Sequence, residues 1–222
     1  MTGSEEFRRV NDSIAHLRRD HGVRPLELDD LDPDPIEQFG RWIEEALEEG
    51  LLLPNTMTLA TASADGRPSA RMVLLKGFDR RGFVFYTNYE SRKSRELSHN
   101  PNAALVFYWA RLERQVRVEG RVERVSDDDS DAYFASRPLE SRLGAWASLQ
   151  SQRLESRRKL EERLAELEAE HATGDVPRPP HWGGWLVRPS LVELWQGRPN
   201  RLHDRFVYTR RGDGWDRERL YP

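Results

Sequence analysis

Ile36, Phe39, Ile43 and Leu47 recur at three- and four-residue steps. They share one face of a helix that Pro35 opens and Gly50 ends. Earlier, Phe7, Val10, Ile14 and Leu17 give the same period, predicting a short amphipathic helix over 4–20, followed by an Asp/Pro-rich linker over 24–35. After Pro54 the pattern becomes short β-branched and aromatic runs broken by turn residues, predicting strands at 56–63, 69–76, 82–87, 103–110 and 114–125 and a short helix at 91–98. Five short strands so spaced favour a small barrel over an open sheet. Helices are expected at 126–136 and 152–170, the second amphipathic through Leu154, Leu160, Leu164 and Leu167. A Pro-rich loop at 176–180 then leads to strands at 184–188, 191–196, 205–210 and 215–220, which close or extend the barrel. The fold class is therefore mainly β with flanking helices.

A chain of 222 residues fits one domain, and 37% apolar with 33% charged residues is a composition that folds. The net charge of −3 supplies no global basic field, so no nucleic-acid or membrane partner is expected and any anion site must be built from a few local cations. Without cysteine there is no disulfide, thiolate nucleophile or zinc-thiolate site, and redox chemistry needs a borrowed cofactor. The charged first ten residues lack a signal-peptide apolar region, and no run of about 18 apolar residues occurs, so a soluble, cytoplasmic protein is expected. The acidic run 127–131 reads as a helix N-terminus rather than a metal site, and no metal is expected.

Gly-rich dinucleotide loops, Walker loops, H-E-x-x-H and G-x-S-x-G are all absent, which removes the common nucleotide and hydrolase readings. What remains is three clusters of cations and hydroxyls near strand ends. The first joins Arg71 to Tyr86, Thr87, Arg92 and Lys93, where a phosphate would meet guanidinium forks, hydroxyls and the start of a helix. A lone arginine in so Arg-rich a chain is ordinarily a solvated surface charge. Yet of only three lysines, Lys76, Lys93 and Lys159, two fall within these motifs. The second cluster is Tyr133, Arg137 and Ser141, whose four-residue steps line one side of a helix and its exit; a surface helix is the plainer alternative. The third is the polar loop 195–205, where Arg201 and His203 alternate onto one side if extended. There a structural histidine and a core Trp195 are the competing readings.

Together, RMVLLK (71–76), FVFYTNYESRK (83–93), LERQVRVEGRVERV (112–125), YFASRP (133–138), GAWAS (144–148), WGG (182–184), WQGRPNRLHDR (195–205) and the terminal RLYP resemble the pyridoxine/pyridoxamine 5′-phosphate oxidase family from about residue 35 to 222. That resemblance implies an FMN-binding split β-barrel over 35–222, carrying the C-terminal dimerisation and substrate-loop region, with residues 1–34 as a lid helix and linker. It implies a homodimer whose two flavin sites draw on both chains. Matching positions imply that Arg71, Met72, Val73, Leu74, Leu75, Lys76, Tyr86, Thr87, Arg92, Lys93, Gln115, Gln150, Ser151, Trp195 and Arg205 bind FMN. Lys76, Tyr133, Arg137 and Ser141 are implied to hold the substrate phosphate, and Arg201 and His203 to enclose the pyridine ring and serve catalysis. In the lid the family pattern is Arg-x-x-Tyr; here Arg18 is followed by His21, a substitution that makes lid closure more pH-dependent. The implied reaction passes a hydride from substrate C4′ to FMN and on to dioxygen, forming pyridoxal 5′-phosphate and hydrogen peroxide. Rival readings are a flavin split-barrel reductase with another substrate and a non-catalytic FMN or pyridoxal-phosphate carrier.

Overall fold

The computed structural model describes residues 25–222 together with Asn11 and Ile14. Apart from those two helical positions, the helix expected over 4–20 lies outside the described residues, as do Arg18 and His21.

Helix α1 (Pro35–Glu48) is followed by β1 (Thr56–Ala62), β2 (Pro68–Leu74), β3 (Gly77–Asp79), β4 (Gly82–Asn88), α2 (Arg92–His99), β5 (Asn102–Trp109) and β6 (Arg114–Arg124). Then come α3 (Asp127–Ala135), α4 (Leu139–Ala147), α5 (Arg157–Glu170), β7 (Trp182–Gln196), β8 (Asp204–Arg211) and β9 (Gly214–Leu220). All strand pairs are antiparallel, in the order β2-β1-β5-β6-β7-β4-β3, with β8 and β9 continuing from β7. The sheet curls into a half-barrel, as expected for a split barrel.

The two strands expected at 184–188 and 191–196 form one, β7, because a register shift at Glu119/Gly120 absorbs Pro189, whose missing N–H cannot join a regular ladder. Gly120 allows that shift: a Cβ there would lie 2.0 Å from the Arg188 carbonyl oxygen. The length of β7 places two neighbours along one edge, β4 against its first half and β8 against its second.

Alternation along the strands turns Met57, Leu59, Leu105, Phe107, Val116, Val118, Val192 and Leu194 inward, all buried. Helix α1 caps this core; its Phe39 ring meets Phe83 edge-on at 5.0 Å and lies 4.8 Å from Phe107. Asp34 caps the helix by accepting from the Ile36 amide, and Pro35 occupies its first turn. Leu47, expected on the apolar face, is 61% exposed; Trp42 and Ala46 are buried in that stripe instead.

A second cluster of Phe134, Leu143, Ala147, Leu167, Val176 and Trp182 joins α3, α4 and α5 to the start of β7. Helix α4 was not anticipated, since Pro138 and Gly144 break the apolar period there. Helix α5 starts at Arg157, not 152, with Ser156 accepting from the Lys159 amide, and leaves Leu154 exposed. The acidic run does open α3, with Asp127, Asp128 and Asp129 in its first turn, and Arg178 pairs with Asp127 and Asp131. Residues 25–34, expected as linker, lie against β8 and β9: Asp204 accepts from the Leu26 amide, and the Tyr208 hydroxyl donates to the Asp32 carbonyl.

Candidate active site

A cavity of about 750 Å³ opens between β2, β4 and the start of α2 on one side and the α3–α4 turn and Trp182 on the other. Edge strand β2, paired only with β1, brings Arg71, Met72, Val73 and Leu74 to it, and Lys76 follows from the strand's end. Leu75 does not line the cavity; it is buried in the core, and its amide donates to the Asn55 carbonyl.

Arg71 is fixed from behind. Its Nη1 donates to the Leu59 carbonyl at 3.2 Å and Thr61 Oγ1 at 2.6 Å, and its Nη2 to Ser69 Oγ at 2.5 Å and Glu96 Oε2 at 3.3 Å. Burial lowers its pKa against the opposing pull of Glu96, which leaves the guanidinium charged. Glu96, on α2, also accepts from Thr61, Ser69 and Arg92. Desolvation alone would raise the Glu96 carboxyl, but the hydrogen bonds from Ser69, Thr61 and Arg92 outweigh it and hold the acid at about 2.

Lys93 is buried with its ammonium donating to Thr87 Oγ1 at 3.1 Å, Ser91 Oγ at 3.3 Å and Gln150 Oε1 at 2.7 Å. Burial first, and then the nearby Arg71 charge, pull its pKa down to about 8. Arg92 stands just outside the cavity lining, its Nε on Glu96 at 2.9 Å and most of its side chain exposed.

The opposite wall is aromatic. Tyr86 stacks on Tyr133 at 4.0 Å and on Trp182 at 5.4 Å, and the Arg137 guanidinium lies 4.7 Å over the Trp182 ring. Tyr133, Arg137 and Ser141 all line the cavity, although not on one helix: Tyr133 belongs to α3, Arg137 to the turn and Ser141 to α4. Buried Arg137 Nη1 has no hydrogen-bond partner among the described residues, and burial lowers the group's pKa. A buried guanidinium N–H without an acceptor is costly, and an anion at the cavity mouth would satisfy it. The donor set therefore fits phosphoester ligands. Among the described residues, no cluster of His, Asp and Glu is placed to hold a metal.

The remaining expected residues form a separate group. Gln115 lies opposite Trp195, and Trp195 opposite Arg205, in one row across β6, β7 and β8. His203 packs on Trp195 with ring centroids 4.6 Å apart, and its Nδ1 accepts from the Arg198 amide. Arg205 binds Glu193 and the Tyr221 carbonyl. The extended form on which the alternation of Arg201 and His203 depends is not adopted: Pro199–Arg201 is a 3-10 turn in which Asn200 and Arg201 have left-handed φ of 59° and 62°. None of Gln115, Trp195, Arg201, His203 and Arg205 lines the cavity, nor does Ser151, next to Gln150. Sequence reasoning missed Glu96, Thr61 and Ser69. The i,i+4 spacing of Arg92 and Glu96 was the one available signal.

Comparison with known proteins gives the family of the chain. The pyridoxamine 5′-phosphate oxidase model matches residues 43–172, and that of the pyridoxine 5′-phosphate oxidase C-terminal dimerisation region matches 182–222. The chain belongs to the pyridoxamine 5′-phosphate oxidase family. A pyridoxine/pyridoxamine 5′-phosphate oxidase of Rubrobacter xylanophilus is 64% identical over 209 residues, covering 94% of this chain and 96% of the relative. One from Thermosynechococcus vestitus is 61% identical over 209 residues, covering 94% and 99%. Among solved structures, PhzG from Burkholderia lata, in complex with tetrahydrophenazine-1-carboxylic acid, superposes with a TM-score of 0.86 at 32% identity, covering 92% of this chain and all of that one. An FMN-binding, pyridoxamine 5′-phosphate oxidase-related protein of Nostoc punctiforme shares the fold, at a TM-score of 0.66 and 20% identity over 82% of this chain and 96% of that one. The pyridoxamine 5′-phosphate oxidase family is FMN-binding, and its chemistry is that of an oxidoreductase forming pyridoxal phosphate.

Proposed function

We propose that the chain oxidises pyridoxine 5′-phosphate or pyridoxamine 5′-phosphate to pyridoxal 5′-phosphate, as a cytoplasmic homodimer using FMN and dioxygen. The carrying observation is the pair of cationic groups on different elements of one cavity, Arg71 with Lys93 on one side and Arg137 on the other. Such a cavity suits two phosphoesters. Arg71, Thr87, Arg92 and Lys93 hold the flavin phosphate, and Met72 to Leu74 flank the flavin. Arg137, Tyr133, Ser141 and Lys76 hold the substrate phosphate, with the orphaned Arg137 Nη1 as first donor.

Held by these residues, FMN would supply the redox chemistry, the two electrons of C4′ oxidation passing finally to dioxygen to give hydrogen peroxide. The C4′ alcohol or ammonium loses one proton as the hydride departs, and the imine from the amine substrate is hydrolysed by water to aldehyde and ammonia. Arg201 and His203 position the pyridine ring and assist that proton loss. Because their loop stands apart from the cavity of their own chain, a second copy delivers it, along with Gln115, Trp195 and Arg205. The dimerisation region matched at 182–222 contains this loop, which supports the arrangement. Arg18 and His21 belong to a lid over the substrate, within residues 1–34.

The test is a visible spectrum of the purified protein. Oxidised-flavin bands are expected that bleach anaerobically on addition of pyridoxine 5′-phosphate, with peroxide released under air. Flavin bands indifferent to that substrate would overturn the reading.

A further inference from the structure

Glu96 touches no edge of the cavity, yet the cationic wall is arranged around it. Its side chain is 8% exposed, and Oε2 accepts from Thr61 Oγ1 at 2.5 Å, Ser69 Oγ at 2.6 Å and Arg71 Nη2 at 3.3 Å. Oε1 accepts from Arg92 Nε at 2.9 Å. A carboxylate this buried opposes folding unless charged donors surround it, and here two guanidiniums and two hydroxyls do.

We propose that Glu96 is a positioning residue for the flavin phosphate, holding Arg71 and Arg92 at the cavity edge and so setting the preference for phosphorylated over unphosphorylated flavin. This rests on the FMN site proposed above. Arg71, Arg92 and Lys93 repel one another while no anion is bound, and the Arg71 charge already weighs on Lys93. With the Glu96 carboxylate included, the four groups carry two positive charges, the complement of a phosphate dianion. The directions of the bonds matter as well. Glu96 takes Nε of Arg92, so that contact uses neither Nη group of the fork. It takes Nη2 of Arg71, whose Nη1 and Nη2 bonds to Leu59, Thr61, Ser69 and Glu96 leave Nε out of the network.

FMN and riboflavin differ only in the phosphate, so their affinities separate this role from a merely structural one. Flavin-free protein is titrated with each ligand by quenching of flavin fluorescence, for wild type, Glu96→Gln and Ser69→Ala, with thermal unfolding followed in parallel. Wild type is expected to prefer FMN. In Glu96→Gln the Kd for FMN should rise about tenfold, as loss of a hydrogen bond between charged groups implies, while that for riboflavin stays within about twofold. Ser69→Ala removes one donor to Glu96 and one acceptor from Arg71 with little change in volume. It should shift the same ratio by about threefold, and it carries the test if Glu96→Gln does not fold. Equal weakening of both ligands, an unchanged ratio, or tighter FMN binding in Glu96→Gln would each overturn the proposal while FMN binding itself stands. A wild type that does not prefer FMN over riboflavin would instead remove the FMN site, and this inference with it.

Discussion

The wall formed by β2, β4 and α2 and the loop 197–203 both concentrate cations, but they are built in opposite ways. In the wall, Arg71 and Lys93 each meet several acceptors from their own chain, and Glu96 ties the set together. In the loop, Arg201 is exposed at left-handed φ, and His203 rests on Trp195 away from the cavity. Charges that must converge on a small, doubly charged group are assembled inside one chain. Under the proposed function, the groups that approach the pyridine ring are those left at a surface for a second copy to bring across, and the contrast divides binding from turnover along the line between the two regions.

Arg201→Ala tests that line with the largest effect. Turnover should fall at least about 100-fold, as for loss of a positioned catalytic group, while the purified protein stays yellow. Colourless Arg201→Ala protein would place Arg201 in the flavin site and erase the division. Next comes Arg137→Ala, which removes a charge-assisted contact to substrate phosphate of about 1.5–3 kcal/mol and should raise KM roughly 10- to 100-fold with kcat little altered. Steady-state kinetics that show a fall in kcat alone would detach Arg137 from the phosphate.

Much of this was legible in the sequence because it depends on local period and turn chemistry. Alternating runs gave the strands, and Pro35 gave the start of α1. Most of the phosphate cluster could be grouped because β2, β4 and the start of α2 follow one another closely in the chain. Apart from its i,i+4 spacing from Arg92, nothing local marked Glu96 as part of it, since its meaning comes from β1 folding back to bring Thr61 beside it. Pro189 misled because a bulge, set by the absence of a side chain at Gly120, lets one strand run through a residue that ordinarily ends one. The 133–141 spacing was read as one helix and its exit; the three side chains line one cavity, with Ser141 on the next helix. For the loop 197–203 the sequence left the backbone open, since left-handed Asn200 and Arg201 are not announced by glycine.

The smallest effect sharpens the wall itself. Lys93 is held down to about 8 by burial and then by Arg71, so near neutral pH it is still an ammonium and above about 8 it becomes neutral. A phosphate monoester is a dianion above about pH 6. FMN affinity should therefore climb as pH rises to about 6.5, stay level to about 8, and then fall by at most about tenfold per pH unit, because the neutral amine must first take up a proton. Folding runs the other way. Lys93 titrates lower in the folded chain than in the unfolded one, so its burial as a cation opposes folding below about pH 8, and that opposition fades as pH rises towards 10.5. A loss of affinity above pH 8 thus cannot come from Lys93 destabilising the fold, and fluorescence titrations from about pH 6 to 9.5 isolate the phosphate contact. Lys93→Arg, charged throughout, should lose the alkaline fall; if its affinity declined in step with wild type, another group would be titrating and Lys93 would not be the proton-linked contact.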